Sequence, residues 1–363
     1  MTMRPFTFGL ALSLCLMLLV PLFARARASS RQPAFRSGTT LVEVSAIVTN
    51  DEGGPIKDLT VEEVEVLDDG VLQSIVLFEH VDFATAVGSQ QRRDFVLVLD
   101  DLSIAPKDTE AAMAISDALI NSLGPHDRLA IVNTGPFPLV QQLSTERSIA
   151  RKLVRQLRGQ KGTSPLSFSA VQVCHNTTVA LRVIENAMRV MAQGVVERRA
   201  VLVVSEGHRL FWLETGTKGA DRCDQARAAY ERIIAASALA NVAVYGVDVR
   251  GLVAQAPDVS GGGPAASAQS AGTAAATAAQ QRADTLYGSL GRMALATGGT
   301  LTAERNDLMA AVRQMIDDTR QYYRIAYVQP DIPRRDRGKV RRIEVNVRRP
   351  GVNVRARQRY LPR

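Results

Sequence analysis

The sequence predicts an α/β fold: a doubly wound, mostly parallel sheet, joined to a small β-sandwich-like unit built from the two ends of the chain. Three observations predict it. Phe95–Leu99, Ala200–Val204 and Val242–Val247 are near-continuous apolar runs, as strands covered on both faces must be. Segments with apolar residues at helical spacing separate these runs, which is the rhythm of a parallel sheet with crossover helices. At either end of the chain, apolar and polar residues alternate, as in strands with one dry and one wet face.

Residues 1–28 read as a signal peptide. Arg4 supplies the positive start, residues 8–23 are apolar, and Ala26-Arg27-Ala28 is a small-x-small cleavage site before Ser29. The apolar span is short for a membrane helix, which needs about 20 residues. No stable membrane span is therefore expected after cleavage, an uncleaved anchor being the alternative. Cys15 follows Leu14 inside the apolar stretch, which argues against a lipoprotein box. Residues 29–39 read as a polar, disordered lead-in. Residues 40–85 read as an N-terminal β-unit. Val42, Val44, Ala46 and Val48 alternate with Leu41, Glu43, Ser45 and Ile47, and turns are signalled at residues 50–55 and at Asp68-Asp69-Gly70.

Residues 92–329 form the predicted α/β domain. After the first apolar strand, Ala112, Ile115, Leu119 and Leu123 mark a helix over Thr109–Leu123, stopped by Gly124-Pro125. RLAIVNTG is the second strand. Ser144 is read as the cap of a helix with Ile149, Leu153 and Leu157 on its stripe, Glu146 sitting beside the cap. Helices over Thr178–Met191 and Asp221–Ala240 flank the third strand, AVLVVSEG, and NVAVYGVDV is the fourth. Residues 255–284, rich in Ala, Gly, Ser, Thr and Gln, read as a low-complexity insertion with too little apolar surface to order itself. Leu308, Val312, Met315 and Ile316 define the last helix, and YRIAYVQP reads as the strand that closes the domain. In residues 338–361, Val340, Ile343, Val345, Val347, Val352 and Val354 alternate with charge, so these strands are expected to pack on the N-terminal β-unit.

The 363 residues, 46% of them hydrophobic, suffice for about two domains. The net charge is +8, and loss of Arg4, Arg25 and Arg27 with the leader brings it to about +5. An exported chain, periplasmic or secreted and open to envelope association, is not expected to meet nucleic acid. Its basic surface is either simply solvated or faces an anionic partner outside the cytoplasm. Past the leader only Cys174 and Cys223 remain. Both fall in predicted loops at the same sheet edge, where a disulfide and two separate thiols are both open readings. No Cys/His spacing suggests zinc.

Asp100, Asp101 and Ser103 stand just past the carboxyl end of the first strand, where open α/β sheets place their ligands. Hard oxygen donors there suit Mg²⁺ or Ca²⁺. A hydrolase is disfavoured: Ser205-Glu206-Gly207 lacks the first glycine of G-x-S-x-G, Val203 standing in its place, and His80, His126, His175 and His208 are scattered. Gly298-Gly299 reads as a left-handed helix stop and not as a phosphate loop. Phe211 and Trp212, after the third strand, read either as an aromatic anchor for a partner or as local packing.

With these segments in view, the chain resembles a known family. The α/β part resembles a von Willebrand factor type A domain, and the whole layout resembles the VWFA-related proteins of acidobacteria. LTVEEVEVLDDGVLQSIVLFE, ATGGTLTAERNDLMAAV, YYRIAYVQP and RRIEVNVRRPGVNVRARQRY carry the likeness, which covers nearly everything from residue 40 except the insertion. The resemblance implies a type A-like sheet with a metal on top, held by D-x-S-x-S, a Thr and an Asp. Here Asp101-x-Ser103-x-Ala105 lacks the second serine, with Asp100 the other candidate start. Ser205-Glu206-Gly207 stands for S-D-G, and Thr177 or Thr178 for the threonine. It implies a non-enzymatic adhesion-type module whose Mg²⁺ or Ca²⁺ leaves one position for a protein partner's carboxylate. The alternative is an envelope scaffold with a vestigial site.

Overall fold

A computed structural model of the chain describes residues 40–83, 92–162, 170–192, 198–207, 223–251, 288–303, 305–336 and 338–362. The leader, the lead-in, the whole insertion, Phe211, Trp212 and His208 lie outside the described residues.

In chain order the strands are β1 (Leu41–Asn50), β2 (Val64–Asp68), β3 (Val71–Gln73), β4 (Ile75–Asp82), β5 (Arg93–Leu99), β6 (Arg128–Asn133), β7 (Gln141–Ser144), β8 (Arg198–Ser205), β9 (Val242–Asp248), β10 (Leu301–Thr302), β11 (Gln321–Val328), β12 (Arg341–Val347), β13 (Val352–Ala356) and β14 (Arg359–Tyr360). The helices are α1 (Thr109–Ser122), α2 (Arg147–Val154), α3 (Ala170–Met191), α4 (Asp224–Ala240), α5 (Ser289–Thr297) and α6 (Ala310–Arg320).

The central sheet has six strands in the order β10-β9-β8-β5-β6-β7, parallel except for the edge strand β7. Every residue of β5 is buried, which its unbroken apolar run requires. Side chains alternate across it. Phe95, Leu97 and Leu99 enter one core with α1, α2 and α6, while Val96 and Val98 enter the other with α3, α4 and α5. Gly298 ends α5 in the left-handed conformation at φ +85°. At the amino end of the sheet the charges are paired off: Arg93 grips Asp127 at 2.6 Å and lies over the rings of Phe83 and Phe95, and Arg128 grips Asp94 at 2.5 Å.

The β-unit is a sandwich of two four-stranded sheets, β13-β1-β11-β4 and β14-β12-β2-β3. Val42, Val44, Ala46 and Val48 point into it and meet Val66, Ile325, Tyr327, Ile343 and Tyr360. Its centre holds one buried carboxylate, Asp68, which accepts hydrogen bonds from Tyr360 Oη at 2.6 Å, Tyr327 Oη at 3.1 Å and Arg341 Nε at 2.6 Å. These partners come from three strands in both sheets, so Asp68 ties the C-terminal strands to the N-terminal ones. Both layers lie within one compact unit, Gly38–Arg363.

Three expectations are corrected here. YRIAYVQP does not close the α/β domain: β11 pairs antiparallel with β1 and β4, Val44 opposite Ile325 and Tyr323 opposite His80. The sandwich needs this strand because β1 alone cannot bury its inner face. Helix α3 begins at Ala170, two turns ahead of Thr178, because its buried stripe already starts at Cys174 and Thr177. Ser144 ends β7 and is not the cap of α2; Glu146 is, its carboxylate accepting from the Ser148 amide at 3.1 Å.

Candidate functional site

Chain direction fixes where a site can form. From β5 the chain passes through α1 on one face to β6, and from β8 it passes through α4 on the other face to β9. The loops leaving β5 and β8 therefore part to opposite sides, although the two strands are neighbours. That divergence is the topological switch point of the sheet, where a crevice opens beyond the carboxyl ends. Asp100 to Ala105 and Ser205 to Gly207 form its walls.

The side chains there are buried and bonded to one another. Asp100 accepts from Ser205 Oγ at 2.6 Å and from Thr134 Oγ1 at 2.9 Å. Ser103 Oγ lies 2.8 Å from Ser205 Oγ, 3.0 Å from the Asp100 carbonyl, and accepts from the Glu206 amide at 3.2 Å. Ser205 Oγ also accepts from the Gly207 amide at 2.8 Å. The two serines and Asp100 thus stitch β5 to β8.

Asp101 turns the other way, toward the loop after β6. One carboxylate oxygen accepts from the amides of Gly135 at 2.6 Å and Thr134 at 3.0 Å and lies 3.1 Å from Thr134 Oγ1; the other accepts from Gln160 Nε2 at 2.8 Å and Asn133 Nδ2 at 3.0 Å. This close approach requires glycine at 135, where a Cβ would sit 2.2 Å from Asp101 Oδ2. Glu206, 8% exposed, accepts from the Ala105 amide at 2.6 Å with Oε1, while Oε2 is in contact with the Lys161 ammonium.

The residues expected to share one cation are therefore only partly brought together. Asp100, Ser103 and Glu206 stay beside each other through Ser205 and the loop backbone. Asp101 leaves the group because four N–H donors from the β6 loop and Gln160 outcompete a place at the crevice. Thr177 and Thr178 lie inside α3 and not in a crest loop; Thr177 is buried, and Thr178 Oγ1 donates to the Cys174 carbonyl one turn back at 2.7 Å. Among the described residues no group of three or more His, Cys, Asp or Glu is placed to hold a metal. The donor chemistry agrees: Mg²⁺ or Ca²⁺ needs six or more oxygens turned toward one point, and here the Glu206 carboxylate already faces an ammonium and Asp100 two hydroxyls. This donor set does not fit the divalent ion that the resemblance implies.

Ser205 gives its proton to Asp100, and His175 is exposed on α3. Cys174 and Cys223 are joined as a disulfide, Cα atoms 5.4 Å apart, Cys174 within α3 and Cys223 at the N-cap of α4. The sequence reading missed Asn133, Thr134, Gly135, Gln160 and Lys161. Asn133-Thr134-Gly135 carried a usable signal, a polar trio just past an apolar parallel strand. Gln160 and Lys161 carried none, since they follow a short helix in a stretch without periodicity.

No protein-family model matches the sequence, and no curated protein aligns with it. Several solved structures are similar. An aerotolerance-related membrane protein from Bacteroides fragilis matches at 15% identity and TM-score 0.35, over 62% of this chain and 97% of that one. A von Willebrand factor type A protein from Catenulispora acidiphila matches at 12% identity and TM-score 0.34, over 90% and 75%. The manganese-loaded TRAP protein of Plasmodium vivax matches at 12% identity and TM-score 0.33, over 80% and 100%. None of these likenesses says what this chain binds.

Proposed function

We propose that this chain is an exported, non-enzymatic protein-binding module of adhesion type, which receives its partner at the crest of the doubly wound sheet. The observation that carries this reading is the switch point between β5 and β8, where the loops that leave the two strands part and begin with Asp100, Ser103 and Glu206. Export is supported by the leader pattern of residues 1–28 and by a disulfide, which persists in oxidising compartments. Among the described residues no helix is long and apolar enough to cross a membrane. Phe211 and Trp212 follow Gly207 in the chain, so the crevice wall leads into a segment with two aromatic residues suited to anchoring a partner. The sandwich serves as the spacer that carries the crest.

The rival reading, an envelope scaffold with an inert crest, is favoured by the completeness of the crest's internal hydrogen bonding. Photo-crosslinking separates the two. A photoreactive residue replacing Trp212, and another replacing the exposed Leu72 in β3, are compared in the native envelope. A discrete adduct from position 212 that position 72 does not give supports crest docking. No adduct at 212, or the same adducts from both, overturns it.

A further inference from the structure

The geometry points to Lys161 as the built-in cation of the crest: its ammonium takes the Glu206 carboxylate, one of the groups that the resemblance would give to a divalent ion, and it keeps such an ion out. This rests on the crest being the binding face but concerns only how its charge is balanced. Glu206 is almost wholly buried, and a buried carboxylate needs a positive or hydrogen-bonding partner. Lys161 Nζ provides it at Oε2, with the Ala105 amide at Oε1.

The lysine is delivered there by a built segment. The Gly159 amide donates to Thr109 Oγ1 at 3.0 Å, the Gln160 amide to the Asp101 carbonyl at 2.8 Å, and the Lys161 amide to the Ile104 carbonyl at 3.0 Å. A Cβ at Gly159 would lie 2.6 Å from the Ile104 and Ala105 carbonyl oxygens, so the segment lies directly against the crest loop. These bonds fix the backbone of Lys161 beside the crest loop. Its side chain is 37% exposed, so the ammonium is reached from solvent while Glu206 is not. A divalent ion brought to Glu206 would meet an ammonium already in contact with its oxygen.

The test titrates the full-length mature protein with Mn²⁺ alone, read by calorimetry and by the paramagnetic signal of free manganese. The wild type and Lys161→Arg are expected to show no saturable binding at millimolar metal. Lys161→Ala and Lys161→Met are expected to gain a one-to-one site, lost again when Glu206→Gln is added. Circular dichroism confirms that each variant is folded. Stoichiometric Mn²⁺ binding by the wild type overturns the inference, as does its absence in both folded Lys161 variants. Neither outcome depends on where a partner docks, which the crosslinking comparison reads separately.

Discussion

Replacing Asp101 with alanine tests whether this carboxylate is a structural knot or a ligand kept in reserve. In the structure it satisfies four N–H donors. On its removal, Thr134 Oγ1 still has Asp100 at 2.9 Å, Asn133 Nδ2 keeps the Phe137 carbonyl at 2.8 Å, and the part-buried Gly135 amide and Gln160 Nε2 can turn to water. The Thr134 amide keeps the Leu99 carbonyl at 3.1 Å, so the loss is that of the charge-assisted bonds. A hydrogen bond to a charged group contributes about 1.5–3 kcal/mol net. The bonds share one carboxylate and their donors find other partners, so a loss of about 1.5–3 kcal/mol in unfolding free energy is expected. Urea unfolding followed by far-UV circular dichroism, with chelator present, measures it. If Asp101 were instead a metal ligand without its metal, its charge beside Asp100 would be repulsive, and its removal would leave stability unchanged or raise it. A change smaller than about 0.5 kcal/mol, the scale of ordinary surface substitutions, refutes the reasoning.

Asp68→Ala should cost about 2–4 kcal/mol, because it removes the shared acceptor of two buried tyrosine hydroxyls at the centre of the sandwich and leaves Arg341 only Asp69, at 3.0 Å; thermal unfolding monitored by tyrosine fluorescence reads it, and a melting point equal to wild type would contradict it. Replacing Cys174 and Cys223 together with serine should lower stability by about 4 kcal/mol, from the chain entropy released by opening a closure between positions 49 apart; equal denaturation midpoints for the two forms would show that the bond constrains little. Glu63 is held down to about 2 by its hydrogen bonds with Arg349 and the Thr60 amide. Its folded value lies below its unfolded one, so its stabilisation is complete above the ordinary carboxylate range and is lost as pH falls toward 2. Melting temperature measured down that range should drop less steeply in Arg349→Ala than in wild type, and parallel curves would refute the assignment.

Most of the sheet was legible in the sequence because burial on both faces leaves an unmistakable run. Phe95–Leu99 has no other reading, and the polar residues that end it mark the crest. The sandwich was legible as alternation, but β11 was not assignable: YRIAYV suits the end of a parallel sheet and an antiparallel sandwich equally, and only the unsatisfied inner face of β1 decides between them. The site was half legible. Residue type placed Asp100, Ser103 and Glu206 at the crevice. Which way each carboxylate turns depends on donors far away in sequence, Gly135 for Asp101 and Lys161 for Glu206, and no local pattern announces either. The threonines failed for a related reason. A pair of β-branched residues after His175-Asn176 looks like a helix start, yet the buried stripe of α3 had already run through Cys174.

The central claim is that the crest is closed by its own side chains and holds no ion. A crystal of the wild-type protein grown with millimolar MnCl₂, with data collected at the manganese absorption edge, tests it most directly. The account predicts no anomalous peak at the crevice and the Lys161 ammonium against Glu206. A peak bonded to Asp100, Ser103 or Glu206, with Lys161 swung away, would contradict it.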